Sequence, residues 1–296
     1  MEKKLEININ ENKIILQGQD SFEPEHIFEC GQAFRWDREA DGSYTVVAHE
    51  RVINVSSFGK DVIIKNTNIE DFEKIWKNYF DLETDYIKIQ NTFNKDEIMQ
   101  EAIEYGKGIR VLNQEPFETM ISFMVSANNR IPQIKKSIGL ISQYYGEKIE
   151  TINGIDYFSF PTPEALASAR PEDLREYCRV GFRDERIVKT SKLIYDGTYN
   201  IEAFMNMERE QIRKSLVELP GIGPKIADCI LLFAFKKKDS FPVDVWIKRV
   251  METLYFGKEV NKNLVSELGR EKFGEYAGVA QQYLFYYGRE NAIGKQ

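Results

Sequence analysis

Residues 219–225 read Leu-Pro-Gly-Ile-Gly-Pro-Lys, and a chain carrying that run cannot pass through it as one continuous helix. Pro220 has no amide hydrogen and its ring clashes with the preceding turn, while Gly221 and Gly223 permit positive φ. Pro224 presets φ for the first turn of a new helix, where its missing donor costs least. Residues 216–233 are therefore expected to form two helices around a tight turn. The amides of residues 221–226 then point out of a helix N-terminus, which is an anion site suited to a phosphate.

Lys225 is unusual there, because the positive end of the helix dipole disfavours its ammonium form. That setting suits a nucleophilic amine. Cys229 falls on the same face one turn later. Asp244 follows Pro242-Val243 and precedes Val-Trp-Ile-Lys-Arg-Val, so it reads as the N-cap of the next helix. The bland alternatives are a solvated lysine and an aspartate that only caps.

Hydrophobic residues make up 42% of the chain and charged residues 29%, the balance of a soluble globular protein of two or three subdomains. The longest apolar run, around Ile226–Phe235, contains Asp228 and is too short to span a bilayer. The first ten residues carry no apolar leader, so a cytoplasmic setting is expected. Cys30, Cys178 and Cys229 are widely spaced and odd in number, which argues against a disulfide framework, a zinc site or an iron–sulfur cluster. No metal and no cofactor are expected. A net charge of −7 argues against a general nucleic-acid binder, but residues 1–115 hold a net −9 and residues 116–296 a net +2. Residues 174–192 and 219–249 each carry six basic against three acidic side chains, enough for a few phosphate contacts.

The first hundred residues read mainly as strands. Leu5, Ile7 and Ile9 alternate with polar residues, Asn10-Glu11-Asn12 turns the chain, and Lys13–Leu16 follows. Ala33–Trp36 and Tyr44–Val47 flank a turn at Asp41-Gly42, and Arg51–Val55 and Val62–Lys65 extend the sheet. Ile69, Phe72, Ile75, Trp76, Tyr79 and Phe80 then share a helical face, and helices dominate from about Asp96. The clearest are Glu118–Val125, Pro132–Tyr145, Pro163–Ala169, Pro171–Tyr177, Asp184–Tyr195 and one beginning near Tyr276. The expected fold class is α+β, with an antiparallel sheet domain over residues 1–115 and a helical domain over residues 116–296.

Together, Leu-Pro-Gly-Ile-Gly-Pro-Lys and Pro-Val-Asp resemble the helix-hairpin-helix and Pro-Asp signature of base-excision DNA glycosylases. Leu219–Cys229 is most similar to the 8-oxoguanine DNA glycosylases. That resemblance implies that Lys225 is the nucleophile, that Asp244 assists it, and that Gly221 and Gly223 hold DNA. Gly31-Gln32-Ala33-Phe34-Arg35-Trp36 resembles the family element whose glycine carbonyl accepts the N7–H present in 8-oxoguanine and absent from guanine. Setting that carbonyl against the bare N7 of guanine costs about 1–3 kcal/mol for the unmet acceptors.

By the same resemblance Asn128 and Asn129 fill the gap left by the extruded base, Phe182 wedges the duplex and Arg183 reads the estranged cytosine. Gln281 meets the Watson–Crick edge of the flipped base, Phe285 stacks on it and Cys229 closes the other face. Two positions depart from the animal members: Gln133 stands where they have an arginine that helps read cytosine, and Trp246 where they have a histidine. The implied activity is excision of 8-oxoguanine, preferably opposite cytosine in double-stranded DNA, with AP lyase nicking by a monomer that has no membrane partner. The competing readings are a glycosylase for oxidised pyrimidines or alkylated bases, and a non-catalytic DNA-binding module.

Overall fold

The computed structural model describes residues 7–10 and 12–294; Leu5 and Glu11, expected in the first strand and its turn, lie outside the described residues. Six strands form one antiparallel sheet: β1 (Ile7–Asn10), β2 (Lys13–Leu16), β3 (Trp36–Arg38), β4 (Tyr44–Ala48), β5 (Arg51–Phe58) and β6 (Asp61–Lys65), in the spatial order β1-β2-β6-β5-β4-β3. Alternation puts Ile14, Ile64, Val55 and Tyr44 in one row across four strands, all buried. Phe28, Trp76 and Phe80 cover that face, so the sheet has one dry side.

The strand expected from Ala33 starts only at Trp36. Residues 31–35 instead form a loop held by Gln32, which is fully buried. Its amide donates to the carbonyls of Ile27 (2.9 Å) and Arg110 (2.7 Å) and accepts from the Leu112 N–H (2.8 Å). The helix after Asn68 widens into a π turn at Phe72–Trp76, where the Lys77 N–H bonds back to Phe72. Phe72, Trp76, Tyr79 and Phe80 are buried as expected, but Ile69 is 40% exposed because it precedes the widened turn.

The helical part contains helices at Pro116–Ser126, Ile131–Tyr145, Pro163–Ala167, Pro171–Glu176, Asp184–Tyr195, Arg209–Glu218, Pro224–Ala234, Val245–Val250, Lys262–Phe273 and Ala277–Glu290. One hairpin, Lys148–Ile152 with Ile155–Phe158, was not among the sequence expectations. Its Asn153-Gly154 turn has both residues at positive φ, the geometry that suits the twist of paired strands.

The helix Pro224–Ala234 runs through the middle of the helical core, with every side chain from Ile226 to Ala234 buried. Ala277–Glu290 also packs into this core, and Gly278 sets how closely it approaches the middle helix. A Cβ at Gly278 would lie 2.4 Å from Leu232 Cδ1 and 2.8 Å from the Ser240 carbonyl. The same core takes in Cys30 and Phe34 from the loop before β3, so the sheet side and the helical side share packing. No helix of the described residues is long and apolar enough to cross a membrane. Gly278→Ala should destabilise the protein by about 1–3 kcal/mol through overpacking against a backbone carbonyl, read as a lower midpoint in urea unfolding.

Candidate active site

The hairpin turn is built by three local constraints. Leu219 leaves helical geometry with ψ at 137°, and the Ile222 N–H returns to the Leu219 carbonyl at 3.1 Å. Gly221 takes φ +89°, and a Cβ there would meet Met124 Cε and Arg186 Cδ at 3.1 Å each. Both the backbone angle and the space demand glycine. Thr190 donates its hydroxyl to the Pro220 carbonyl at 3.0 Å, which ties the turn to the Asp184–Tyr195 helix. Gly223 differs: its φ of −89° suits any residue, so only one of the two glycines uses left-handed backbone. A Cβ at Gly223 would meet nothing within 4 Å.

Lys225 sits half-buried in the first turn of the Pro224–Ala234 helix, its ammonium 5.3 Å from the centre of the Phe123 ring. Cys229 lies beside it, its thiol pushed up to about 11 by burial while the lysine charge pulls the other way. Asp244 caps the Val245–Val250 helix, accepting from the Ile247 N–H at 2.8 Å. Burial raises the Asp244 carboxyl, opposed by the Ile247 N–H and by the Lys225 cation. Lys225, Cys229 and Asp244 thus lie together, Cys229 by its one-turn spacing from Lys225 and Asp244 from the start of the next helix. Lys225 also lines an open cleft of about 590 Å³ with Arg213, Lys262, Arg270, Glu210 and Glu267, a mixed-charge surface that does not include Gly31, Cys229, Gln281 or Phe285.

Gly31 takes φ +78°, and a Cβ there would stand 3.1 Å from Phe285 Cε1. The Phe285 ring therefore packs directly on the Gly31 backbone, with no room for a side chain between them. Phe123 links this contact to the lysine: its ring lies 5.6 Å from that of Phe34, three residues after Gly31, and beside the Lys225 ammonium. Gln281, buried one turn before Phe285, accepts from the Gln282 amide at 2.8 Å.

Around Asn128 the chain is arranged differently from expectation in one respect. Asn128 is exposed at φ +51°, Asn129 donates back to the Val125 carbonyl at 3.2 Å, and Gln133 is half-buried in the first turn of the Ile131–Tyr145 helix. Phe182 is 58% exposed and lies under the guanidinium of Arg183, 4.4 Å away. Arg183 itself is buried. Its donors go to the carbonyls of Ala127, Asn128 (3.3 Å) and Val180 (2.9 Å), so it is not presented to a partner base. It braces the Asn128 turn and backs Phe182, because a buried guanidinium must satisfy its donors locally. Trp246 lies beside Arg249, whose guanidinium is 5.3 Å from its ring.

The sequence reading missed two charged residues beside this cluster. Asp228, 3% exposed, pairs with Arg213 Nε at 2.8 Å across the hairpin, and burial raises its carboxyl. Its signal was a charge inside an apolar run, which requires a partner. Arg289 lies one turn beyond Phe285, a spacing that continues the Gln281–Phe285 face.

A glycine-turn helix hairpin with a lysine in its second helix and an aspartate after a proline defines the helix-hairpin-helix class of DNA glycosylase fold. The profile of 8-oxoguanine DNA glycosylase, N-terminal domain, matches residues 14–120, and that of HhH-GPD superfamily base excision DNA repair proteins matches residues 121–275. The crystal structure of Clostridium acetobutylicum 8-oxoguanine glycosylase/lyase with DNA containing cytosine opposite 8-oxoguanine superposes with a TM-score of 0.94 at 42% identity, covering 97% of this chain and 99% of that one. A probable N-glycosylase/DNA lyase of Methanothermobacter thermautotrophicus is 34% identical over 243 residues, 76% of each chain. The Arabidopsis thaliana N-glycosylase/DNA lyase OGG1 is 27% identical over 275 residues, 87% of this chain and 75% of that protein. The chain belongs to the HhH-GPD superfamily of base excision DNA repair proteins, in the branch that carries the 8-oxoguanine glycosylase N-terminal domain.

The raised Asp244 carboxyl carries a pH signature. The folded protein holds this proton to higher pH than the unfolded chain, so stability is lost as pH rises from the ordinary aspartate value of about 3.9 through the raised one. Asp244→Asn keeps an N-cap acceptor and removes the buried charge. The variant should be at least as stable as wild type at pH 7. Its advantage should shrink on acidification and vanish below about pH 3.9, as followed by urea unfolding across that range.

Proposed function

We propose that this protein is a bifunctional DNA glycosylase that removes 8-oxoguanine from duplex DNA and nicks the resulting abasic site, with Lys225 as nucleophile. The observation that carries the assignment is the cluster of Lys225, Cys229 and Asp244 at the mouth of the hairpin helix. Residues 1–115 are read as the unit that supplies Gly31, and residues 116–296 as the unit that supplies the hairpin. Exposed Gly223 needs glycine for neither its own φ nor its packing, which leaves room for a phosphate to approach the free amides. No cofactor enters the chemistry, and the setting is cytoplasmic, on chromosomal DNA.

A glycosidic bond inside a stacked duplex is out of reach, so the lesion must be flipped out. The base enters between Gly31 and Phe285 once the ring, packed on Gly31 here, swings aside: the Gly31 carbonyl accepts N7–H, Phe285 stacks on one face, Cys229 closes the other, and Gln281 turns its amide to the Watson–Crick edge. Phe182 holds the strands apart while Asn128 and Asn129 occupy the vacated stack. The free amine of Lys225 then forms a bond to C1′ as the C1′–N9 electrons leave with the base. Asp244 offsets the positive charge that grows on the sugar. Ring opening yields an iminium between Lys225 and C1′. This acidifies the C2′ proton, and β-elimination expels the 3′ phosphate.

Borohydride should trap a covalent adduct on DNA containing 8-oxoguanine, and Lys225→Gln should abolish both adduct and base release while lesion binding persists. Adduct formation by that variant at the wild-type level would remove Lys225 from the mechanism. Gln133 offers one neutral amide where the animal family members offer a guanidinium, so discrimination against adenine opposite the lesion should be weak. Gln133→Arg should widen the ratio of excision opposite cytosine to excision opposite adenine by about tenfold, measured under single-turnover conditions.

A further inference from the structure

Arg289 is the last basic residue of the Ala277–Glu290 helix and sits beside the contact between Gly31 and Phe285. Its guanidinium is held on one side only. Nη2 donates to the Glu29 carbonyl at 2.5 Å, and Nε and Nη2 both reach Glu290 Oε1 at 2.8 Å. Nη1 is buried and finds no hydrogen-bond partner among the described residues. It lies 3.8 Å from the point where a Cβ on Gly31 would stand, next to the Phe285 ring. The guanidinium carbon is 5.4 Å from the centre of that ring. A buried cationic donor without an acceptor is costly, and such an orphan beside the Gly31–Phe285 contact marks a place that a ligand acceptor can complete.

The acceptor is identified by chemistry, given the reading of the site above. If the Gly31 carbonyl takes N7–H of an oxidised purine, the neighbouring atom on that edge is O8, a carbonyl oxygen. Guanine has only C8–H at that position. We infer that Arg289 Nη1 donates to O8 of the flipped base, making Arg289 a second specificity-determining residue for oxidised purines. The same contact bears on bond cleavage. When the C1′–N9 bond breaks and Lys225 takes its place on C1′, the electron pair that leaves with the base spreads from N9 onto O8 as an amidate. A guanidinium beside O8 favours that leaving group, and gives no comparable help to unmodified guanine. Arg289 also clamps Glu29, two residues before Gly31, so the helix that stacks the base holds the loop that reads it.

The test uses the full chain with Arg289→Met, which keeps length without donors, and Arg289→Lys, which keeps a charge. Single-turnover excision of 8-oxoguanine is compared with nicking of a preformed abasic site by the same preparation, since nicking needs Lys225 but no base. Arg289→Met should lower the ratio of excision to nicking by about tenfold or more, the scale of a lost charge-assisted hydrogen bond, and Arg289→Lys should recover part of it. An equal fall in both activities would mean that Arg289 only supports the fold, and no change in either would remove it from the site; either result overturns the inference. Wild-type protein that fails to excise 8-oxoguanine would instead overturn the functional reading itself. To fix the atom, duplex binding is measured in the Lys225→Gln background with 8-oxoguanine, and with 8-oxoadenine, which keeps O8 and N7–H but replaces O6 by an amine. Adding Arg289→Met should weaken both by a similar factor. Weakening for 8-oxoguanine alone would assign the contact to O6 and refute the O8 assignment.

Discussion

A helix buried around its whole circumference meets the outside only at its ends, and the hairpin helix is of that kind. Ile226 through Ala234 are all buried, while Pro224 is exposed and Lys225 half-buried. The Pro116–Ser126 helix stacks Phe123 on Phe233 at 5.4 Å, Gly278 brings in the C-terminal helix, and Arg213 of the preceding helix neutralises Asp228. Close-packed interiors resist displacement, so this jacket fixes the helix and therefore the position of its first turn. The Lys225 amine is placed by core packing rather than by contacts of its own. Cys229 and the Asp244 carboxylate then lie beside an amine whose location is already decided.

The parts of this arrangement that were legible in the sequence are those dictated by backbone chemistry. Proline and glycine at 220, 221 and 224 force the hairpin whatever surrounds it, and Asp244 caps its helix because an early-turn amide needs an acceptor. Period-2 and period-3.6 patterns located the sheet and most helices because one face of each had to be buried. The Asn153-Gly154 turn, with both residues at positive φ, is an equally strong local signal for the hairpin around it. The π turn at Phe72–Trp76 left no such signal, since it answers to packing against the sheet. Arg183 shows a harder limit. A sequence identifies a residue with five donors but not where they go, and here three backbone carbonyls take them. Arg289 escaped for the same reason in reverse: one of its donors goes nowhere within the described residues.

Gly31 and Gly221 share a physical predicament. Each has positive φ, and each has a side chain pressed to 3.1 Å from its missing Cβ. At Gly221 the neighbours are Met124 and Arg186, so the constraint serves the turn alone. At Gly31 the neighbour is Phe285, a half-buried ring on the helix that also carries Gln281 and Arg289. Substituting either glycine strains backbone and packing together, but only the second substitution would also fill space that the proposed ligand needs.

Charge counting from the sequence overstated the free cations. Within 174–192, Arg175 is paired with Asp184 at 2.6 Å, Lys189 with Glu185 at 3.6 Å, and Arg183 is spent on carbonyls. Within 219–249, Lys238 pairs with Asp81 and Lys248 with Glu252, both at 2.6 Å. A paired cation releases fewer counterions on meeting a phosphate, because it must first leave its partner. With a net charge of −7 besides, the protein offers an undamaged duplex few unpaired cations for phosphate contacts. Affinity for the lesion must then come from contacts that undamaged bases cannot make. In the proposed site that burden falls on the Gly31 carbonyl and its surroundings, where exchanging one acceptor for one donor on the purine edge separates the oxidised base from guanine.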